Sequence, residues 1–199
     1  MPVIVLDADG TIYIHTNQKA AYLKALGKDY SEERESYKRT AMEIGDPSFL
    51  NQRVFFALIS RKEPHEAIKE AYERRKVFRE EILKEIEPSE IVSILPEIFN
   101  RYPVLVASND TKDFLLDKLA KVGALPYIHH IYTASDFGVL KPHDAFFNRL
   151  REEIEEHYGH TRMIFVDDLD VNVEAARRNG FEAYKPEEFV RLYREGKLI

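Results

Sequence analysis

Residues 3–12 read VIVLDADGTI, and this stretch decides how the rest of the chain is interpreted. Its four leading apolar residues are typical of a strand that is buried on both faces. The apolar run stops at Asp7, and a second acid, Asp9, follows two positions later. Gly10 and Thr11 come next and indicate a turn. Because residues i and i+2 of a strand project to the same face, we expect the two carboxylates to point the same way.

The composition of the 199-residue chain limits the classes of protein to consider. Apolar residues make up 44% and charged residues 32%, which is typical of a globular protein with a buried core. The net charge is −6 and no segment is strongly basic, so we expect no nucleic-acid partner, since phosphate backbones are bound by clustered Lys and Arg. The absence of cysteine excludes a disulfide framework and a thiolate metal site.

Neither a membrane span nor a secretory leader is expected. No apolar run approaches the roughly 18 residues that a membrane span requires. The first ten residues, MPVIVLDADG, lack the basic start and the long apolar core of a signal peptide. The sequence therefore predicts a cytoplasmic protein without a membrane partner.

The periodicity of apolar residues changes along the chain. Residues 15–87 have apolar residues three and four positions apart and no clear strand, which predicts a helical block. Four helices are expected in it, over residues 17–27, 31–45, 47–62 and 64–86. After Pro88, short apolar segments alternate with helical ones, and this pattern predicts a parallel sheet that is covered on both faces.

Four strands are expected after the helical block, over residues 103–108, 130–134, 162–168 and 182–184. The first strand of the chain belongs to the same sheet, although the helical block separates it from the others. The predicted fold class is therefore α/β, a Rossmann-like parallel sheet with helices on both faces and a small inserted helical domain. The predicted core comprises residues 1–14 and 88–199, and the predicted insertion comprises residues 15–87.

Polar residues also follow the later strands, and ligands of open α/β sheets bind beyond the carboxyl ends of the strands. Ser108 and Asn109 come at the end of the strand predicted over residues 103–108, the second of the sheet in chain order. Lys141 lies in a loop after the third, and the adjacent acids Asp167 and Asp168 follow the apolar part of the fourth. We therefore expect these side chains to share one site with the acids of the first strand.

The acids of this site require a cation, because clustered carboxylates repel one another. Hard oxygen ligands without Cys or paired His favour Mg²⁺, which binds one or two carboxylates together with water and a substrate phosphate. With Mg²⁺ and Lys141 in place, the pocket suits a phosphoryl group, and the turn at Gly10 and Thr11 offers backbone N–H donors to its oxygens. One carboxylate of the Asp7 and Asp9 pair could then attack phosphorus while the other serves the leaving oxygen.

At these residues the sequence resembles the haloacid dehalogenase (HAD) superfamily, whose members are mostly Mg²⁺-dependent phosphatases. Four motifs occur in the order typical of the family: DADGT at residues 7–11, ASND at 107–110, LKP at 140–142 and FVDDLDVNVEAARRNGF at 165–181. The helical insertion directly after the first motif resembles the C1 cap of the superfamily. The DDxxxNxxAA form of the fourth motif resembles that of subfamily I.

The resemblance implies a role for each motif residue. Asp7 would be the nucleophile and a metal ligand. Asp9 would be the general acid and base, and it would also offer its backbone carbonyl to Mg²⁺. Asp168 would be the remaining metal ligand, whereas Asp167 would act through metal-bound water and Asn172 would brace the loop. The expected catalytic residues are Asp7, Asp9, Ser108 and Lys141, and the expected substrate-binding residues are Gly10, Thr11, Ser108, Asn109 and Lys141.

The predicted function is that of a Mg²⁺-dependent phosphatase acting on a small phosphorylated metabolite, a phosphate monoester, through an aspartyl-phosphate. Three alternatives remain open. A phosphomutase or phosphotransferase on the same scaffold would pass the phosphoryl group to a sugar hydroxyl instead of water. A 2-haloacid dehalogenase-like hydrolase is disfavoured, since the dehalogenases that named the superfamily have Tyr at the position of Asp9. A non-catalytic binding module is disfavoured because every expected catalytic position is filled.

Overall fold

The computed structural model describes residues 1–47, 55, 58–59 and 64–198. The chain divides into two compact units, one comprising Met1–Ile14 with Glu87–Ile199 and the other comprising His15–Ile86. The predicted division differs from this one by a single residue, at the return of the chain to the larger unit.

Seven strands occur among the described residues: β1 Val3–Leu6, β2 Tyr13–His15, β3 Ile86–Pro88, β4 Val104–Ser108, β5 His130–Thr133, β6 Met163–Val166 and β7 Glu182–Tyr184. Five of them form one sheet in the order β5–β4–β1–β6–β7, and every neighbouring pair in it is parallel. The predicted α/β fold with a parallel sheet is thereby confirmed.

The register of β1 with its two neighbours determines which residues meet at the edge of the sheet. Leu6, the last residue of β1, pairs with Val106 of β4 and with Val166 of β6. Asp7 and Asp167 each stand one residue further along their strands. The two acids therefore leave the sheet side by side, and the N–H of Asp7 donates to the carbonyl of Val166 at 2.8 Å.

The order of the strands reverses at β1. From β1 the chain continues to β4 and β5 on one side, and it then crosses to β6 and β7 on the other side. Such a reversal opens a crevice at the carboxyl ends of the central strands, where ligands of open α/β sheets bind. In this protein the crevice lies beyond the end of β1, at Asp7.

The smaller unit contains the described helices α1 Gln18–Leu26, α2 Ser31–Ile44 and α3 Pro64–Ile82. Helices α1 and α3 pack together, with the ring centroids of Tyr22 and Phe78 4.7 Å apart. Gly27 and Gly45 end α1 and α2 with φ of 72° and 83°, a left-handed conformation that favours glycine. The helix predicted over residues 47–62 lies for the most part outside the described residues.

The strands β2 and β3 form a separate two-stranded sheet that the sequence did not predict. Each has three residues, too few for an alternating pattern to be recognised. Helix α3 ends at Ile82 and not at the predicted Ile86, because a turn then leads the chain into β3.

In the larger unit the described helices are α4 Leu95–Phe99, α5 Lys112–Lys121, α6 Ala134–Phe137, α7 Asp144–Tyr158, α8 Asp170–Arg178 and α9 Pro186–Arg194. Residues 89–102 are divided between a 3₁₀ turn at Glu90–Ser93 and the short helix α4. Pro96 explains the division, since it has no N–H to continue the helical hydrogen bonds and is best tolerated in a first turn. No described helix is both long and apolar enough to cross a membrane.

Aromatic packing holds β6 in place beneath the site. The ring centroid of Phe147, a fully buried residue of α7, lies 5.3 Å from that of Phe165 in β6 and 6.0 Å from that of Phe181. Helix α8 contributes Ala175 and Ala176, which are also fully buried. The acids that follow β6 are therefore attached to a fully buried, closely packed part of the core.

Candidate active site

Three of the acids singled out in the sequence converge beyond the sheet. Carboxylate oxygens of Asp7, Asp167 and Asp168 all lie within 4.8 Å of one another. Asp7 and Asp167 are buried, and Asp168 is half-buried. Within the described part of the chain, no other group of three acidic or histidine side chains is arranged to hold a metal ion.

Asp9 is not a member of this three-acid cluster. Strand β1 ends at Leu6, so the alternation of a strand does not extend to Asp9, and the backbone of Asp9 pairs instead with that of Tyr13 in the turn. The alternation of side chains along a strand therefore gives no reason for the carboxylates of Asp7 and Asp9 to point the same way. The metal contact expected of Asp9 used its backbone carbonyl, and the position of its carboxylate does not bear on that expectation.

Lys141 connects the ends of the three central strands. Its ammonium donates to Asp7 Oδ1 at 2.6 Å, to Asp167 Oδ2 at 2.7 Å and to the carbonyl of Ala107 at 2.9 Å. Each of the three ammonium hydrogens thus has an acceptor, in a side chain that is only 1% exposed. The three acceptors lie at the same level of adjacent strands, which follows from the register of β4, β1 and β6.

Asn109 fixes the main chain of Lys141. Its Nδ2 donates to the carbonyl of Lys141 at 3.0 Å, and its Oδ1 accepts from the N–H of Lys141 at 2.9 Å. Both polar groups of the Asn109 side chain are thus committed to the main chain of Lys141. The side chain fixes the lysine, and substrate binding by Asn109, expected from the sequence, stays a prediction.

Asp167 is held by several donors at once. Asn172 Nδ2 donates to both of its carboxylate oxygens, at 3.0 and 2.9 Å, and the N–H of Leu169 donates to Oδ1 at 2.9 Å. Together with the contact from Lys141, these bonds engage both oxygens of a carboxylate that is fully buried. This geometry suits an anchor that orients Lys141, and Asn172 occupies the bracing position expected of it.

The charges of the site are unbalanced. Burial raises the pKa of Asp7 from its ordinary 3.8 to about 8, since Lys141 offsets only in part the loss of water and the charges of Asp167 and Asp168. Burial also opposes the charged form of Lys141, but the charges of Asp167 and Asp7 outweigh it and raise the pKa of the ammonium. When Asp7 is ionised, one ammonium among three carboxylates leaves negative charge that a divalent cation would neutralise.

The turn at Gly10 and Thr11 differs from expectation in its hydrogen bonds. The N–H of Gly10 donates to the carbonyl of Tyr13 at 2.8 Å, and the N–H of Thr11 donates to the carbonyl of Ala8 at 3.3 Å. Both donors that the sequence assigned to phosphate oxygens are therefore used within the turn itself. The hydroxyl oxygen of Thr11 is buried without a hydrogen-bond partner, so this side chain keeps the capacity to bind a ligand.

Gly10 also makes room for Asp168. Its φ is +81°, a conformation that side chains rarely adopt, and a Cβ added at this position would collide with the Asp168 carboxylate. The close approach of the first and fourth motifs thus depends on glycine here.

Ser108 lies at the end of β4 and is almost fully buried. Its Oγ accepts from the N–H of Asp110 at 3.1 Å.

Sequence reasoning missed the partner of Asp110, the buried Lys118, whose Nζ lies 2.6 Å from Asp110 Oδ2. A signal was present, since Lys118 follows Phe114 by four residues and therefore lies on the apolar face of α5.

The raised pKa of Asp7 predicts how the stability of the cation-free protein depends on pH. The folded carboxyl keeps its proton up to about pH 8, whereas the unfolded carboxyl loses it near 3.8. The folded state therefore binds more protons between these values, and the free energy of unfolding should fall as the pH rises through this range. Urea denaturation in the presence of a chelator measures this slope.

The control for that experiment is Asp7→Asn, which removes the titrating group and should flatten this part of the slope. Groups outside the site titrate equally in both proteins, so the difference between the two profiles reports Asp7 together with the charged groups that it contacts. Parallel profiles for the two proteins would contradict the raised pKa.

Residues 1–180 match the family model described as haloacid dehalogenase-like hydrolase. No curated protein matches the sequence.

Several solved structures share the fold. The HAD-hydrolase YfnB from Bacillus subtilis, bound to magnesium, has a TM-score of 0.70 at 16% identity, over 98% of this chain and 97% of that one. A protein from Thermotoga maritima assigned as a beta-phosphoglucomutase has a TM-score of 0.62 at 17% identity, over 98% and 99% of the two chains. The L-2-haloacid dehalogenase from Xanthobacter autotrophicus has a TM-score of 0.59 at 17% identity, over 99% of this chain and 84% of that one.

At these identities the structural likeness concerns the fold alone, and it extends over nearly the whole chain. The family match covers residues 1–180, a range that includes the residues that converge beyond β1. The chain belongs to the haloacid dehalogenase-like hydrolase family.

Proposed function

We propose that the protein is a Mg²⁺-dependent phosphatase that hydrolyses a phosphate monoester of a small metabolite through an aspartyl-phosphate on Asp7. The observation that carries this proposal is the convergence of Asp7, Lys141, Asp167 and Asp168 at one edge of the sheet. It provides a nucleophile, a fixed positive charge and hard oxygen ligands within one buried site.

The donor set suits Mg²⁺, because it consists of oxygens and carries excess negative charge. Asp7 and Asp168 would hold the ion through their carboxylates, and Asp9 through its backbone carbonyl. When bound, Mg²⁺ would neutralise the acids and the oxygens of the phosphoryl group. The structure of YfnB, a protein of the same fold, is described as bound to magnesium.

In the proposed first step Asp7 attacks phosphorus. Lys141 holds Asp7 Oδ1, so Oδ2 is the oxygen that would form the new bond. The P–O bond of the ester breaks, and the leaving oxygen takes its electron pair together with a proton from Asp9. Lys141 favours this step because its charge stabilises Asp7 as a carboxylate, the form that acts as a nucleophile, against the effect of burial.

In the second step Asp9 takes a proton from water, and the water oxygen attacks phosphorus. The bond between phosphorus and Asp7 then breaks, which releases inorganic phosphate and restores the carboxylate. The hydroxyls of Ser108 and Thr11 are the side-chain donors proposed to bind phosphoryl oxygens in both steps. Both residues are buried, so their hydrogen bonds to the phosphoryl group would be made with little competition from water.

The first test uses p-nitrophenyl phosphate and measures both products. Wild-type protein should release inorganic phosphate with Mg²⁺, lose activity after dialysis against EDTA, and regain it when Mg²⁺ is restored. Asp7→Asn should be inactive. Asp9→Asn should give a burst of p-nitrophenolate followed by slow turnover, because this leaving group needs no proton whereas the second step still lacks its base. With an alkyl phosphate, Asp9→Asn should lower the rate of the first step by about 10²–10⁴-fold, since the leaving oxygen then lacks its proton donor.

Full activity in excess EDTA, or identical behaviour of Asp7→Asn and Asp9→Asn with both esters, would contradict the mechanism. Release of phosphate without a bisphosphate activator separates a phosphatase from a phosphomutase. A strict requirement for a sugar phosphate acceptor would favour the mutase.

The second test concerns the metal site. Gly10→Ala should raise the Mg²⁺ concentration needed for half-maximal thermal stabilisation by about 10-fold or more, because the new Cβ displaces the Asp168 carboxylate. The matched control is Gly123→Ala, which has a similar φ of +74° but nothing within 4 Å of the added Cβ. Equal Mg²⁺ dependence of the two variants would show that Asp168 does not hold the ion.

A further inference from the structure

A second buried lysine lies close to the site. Among the described residues, Lys118 and Lys141 are the lysines that are buried. Lys141 belongs to a motif, whereas Lys118 belongs to helix α5 and the mechanism above does not use it.

The surroundings of Lys118 are one carboxylate and two aromatic rings. Its ammonium donates to Asp110 Oδ2 at 2.6 Å, and it lies 4.3 Å from the ring centroid of Phe114 and 5.2 Å from that of Tyr13. Both rings are almost fully buried. The ammonium is therefore held by an ion pair and by cation–π contacts.

Asp110 transmits this contact to Ser108. Its Oδ1 accepts from the N–H of Thr111 at 2.8 Å, and its own N–H donates to Ser108 Oγ at 3.1 Å. The pair with Lys118 thus fixes the turn between β4 and α5. Because Ser108 Oγ accepts the hydrogen of Asp110, the hydroxyl hydrogen of Ser108 is directed to a different acceptor.

Tyr13 connects the same lysine to the turn after β1. The carbonyl of Tyr13 accepts from Gly10, and its backbone pairs with that of Asp9. Lys118 therefore touches both turns that would surround a phosphoryl group. Packing alone does not account for a lysine here, since an apolar side chain would fill this face of α5 without the cost of burying a charge.

We propose that Lys118 is a positioning residue, which acts through Asp110 to aim the Ser108 hydroxyl at the transferring phosphoryl group. This inference rests on the proposed phosphatase function. It assigns to helix α5 a part in the reaction in addition to covering the sheet.

The test compares Lys118→Met with Lys121→Met, an exposed lysine of the same helix. With Mg²⁺ and p-nitrophenyl phosphate, Lys118→Met should lower kcat/KM about 10–100-fold and weaken inhibition by orthovanadate similarly. Lys121→Met should change neither. Lys118→Arg, which keeps the positive charge, should recover a large part of the loss.

A double-mutant cycle separates positioning from general destabilisation. In a Ser108→Ala background, Lys118→Met should lower kcat/KM by less than about 2-fold, because the hydroxyl through which Lys118 acts has been removed. If Lys118→Met does not fold, Asp110→Asn carries the same test, since it removes the charge partner with little change in volume.

An undiminished loss in the Ser108→Ala background would overturn the positioning role, as would a Lys118→Met protein that matches Lys121→Met. In both cases an active wild type leaves the proposed function standing. A folded wild-type protein that hydrolyses no phosphate ester with Mg²⁺ would overturn both.

Discussion

Three hydrogen bonds from one ammonium hold the site together. Lys141 donates to Asp7, to Asp167 and to the carbonyl of Ala107, which lie at the ends of three adjacent strands. Without this charge two buried carboxylates would face each other, and removing one member of a buried ion pair typically costs about 3–5 kcal/mol. The parallel register makes the contacts possible, and the Asn109 amide fixes the main chain of the lysine.

The same arrangement sets the electrostatics of the site. Lys141 compensates only part of the charge of Asp7, Asp167 and Asp168, so the pKa of Asp7 is raised. A bound divalent cation would remove the remaining imbalance and keep the proposed nucleophile ionised. In the proposed mechanism, metal binding and activation of Asp7 would therefore be coupled. The helix α5 lysine, Lys118, adds a second buried positive charge that stabilises the neighbouring turn.

Periodicity and motif order were sufficient to predict the parallel sheet and the residues at its carboxyl edge, because both depend on patterns local in sequence. Hydrogen-bond partners could not be predicted, since they depend on the register of strands far apart in the chain. One example is the amide of Asn109, whose hydrogen-bond partner, the main chain of Lys141, lies 32 positions further along the chain. Similarly, helical spacing placed Lys118 on a buried face, but its pairing with Asp110 is visible only in the fold.

The central claim is that Asp7 carries the phosphoryl group, and trapping the intermediate tests it most directly. Wild-type protein turning over a phosphate ester with Mg²⁺ would be quenched in acid and reduced with borohydride, which converts an aspartyl-phosphate to homoserine. Peptide mapping by mass spectrometry should locate homoserine at residue 7 when the ester is present and not when it is omitted. Turnover of the ester with residue 7 unmodified, or with homoserine at another position, would contradict the account.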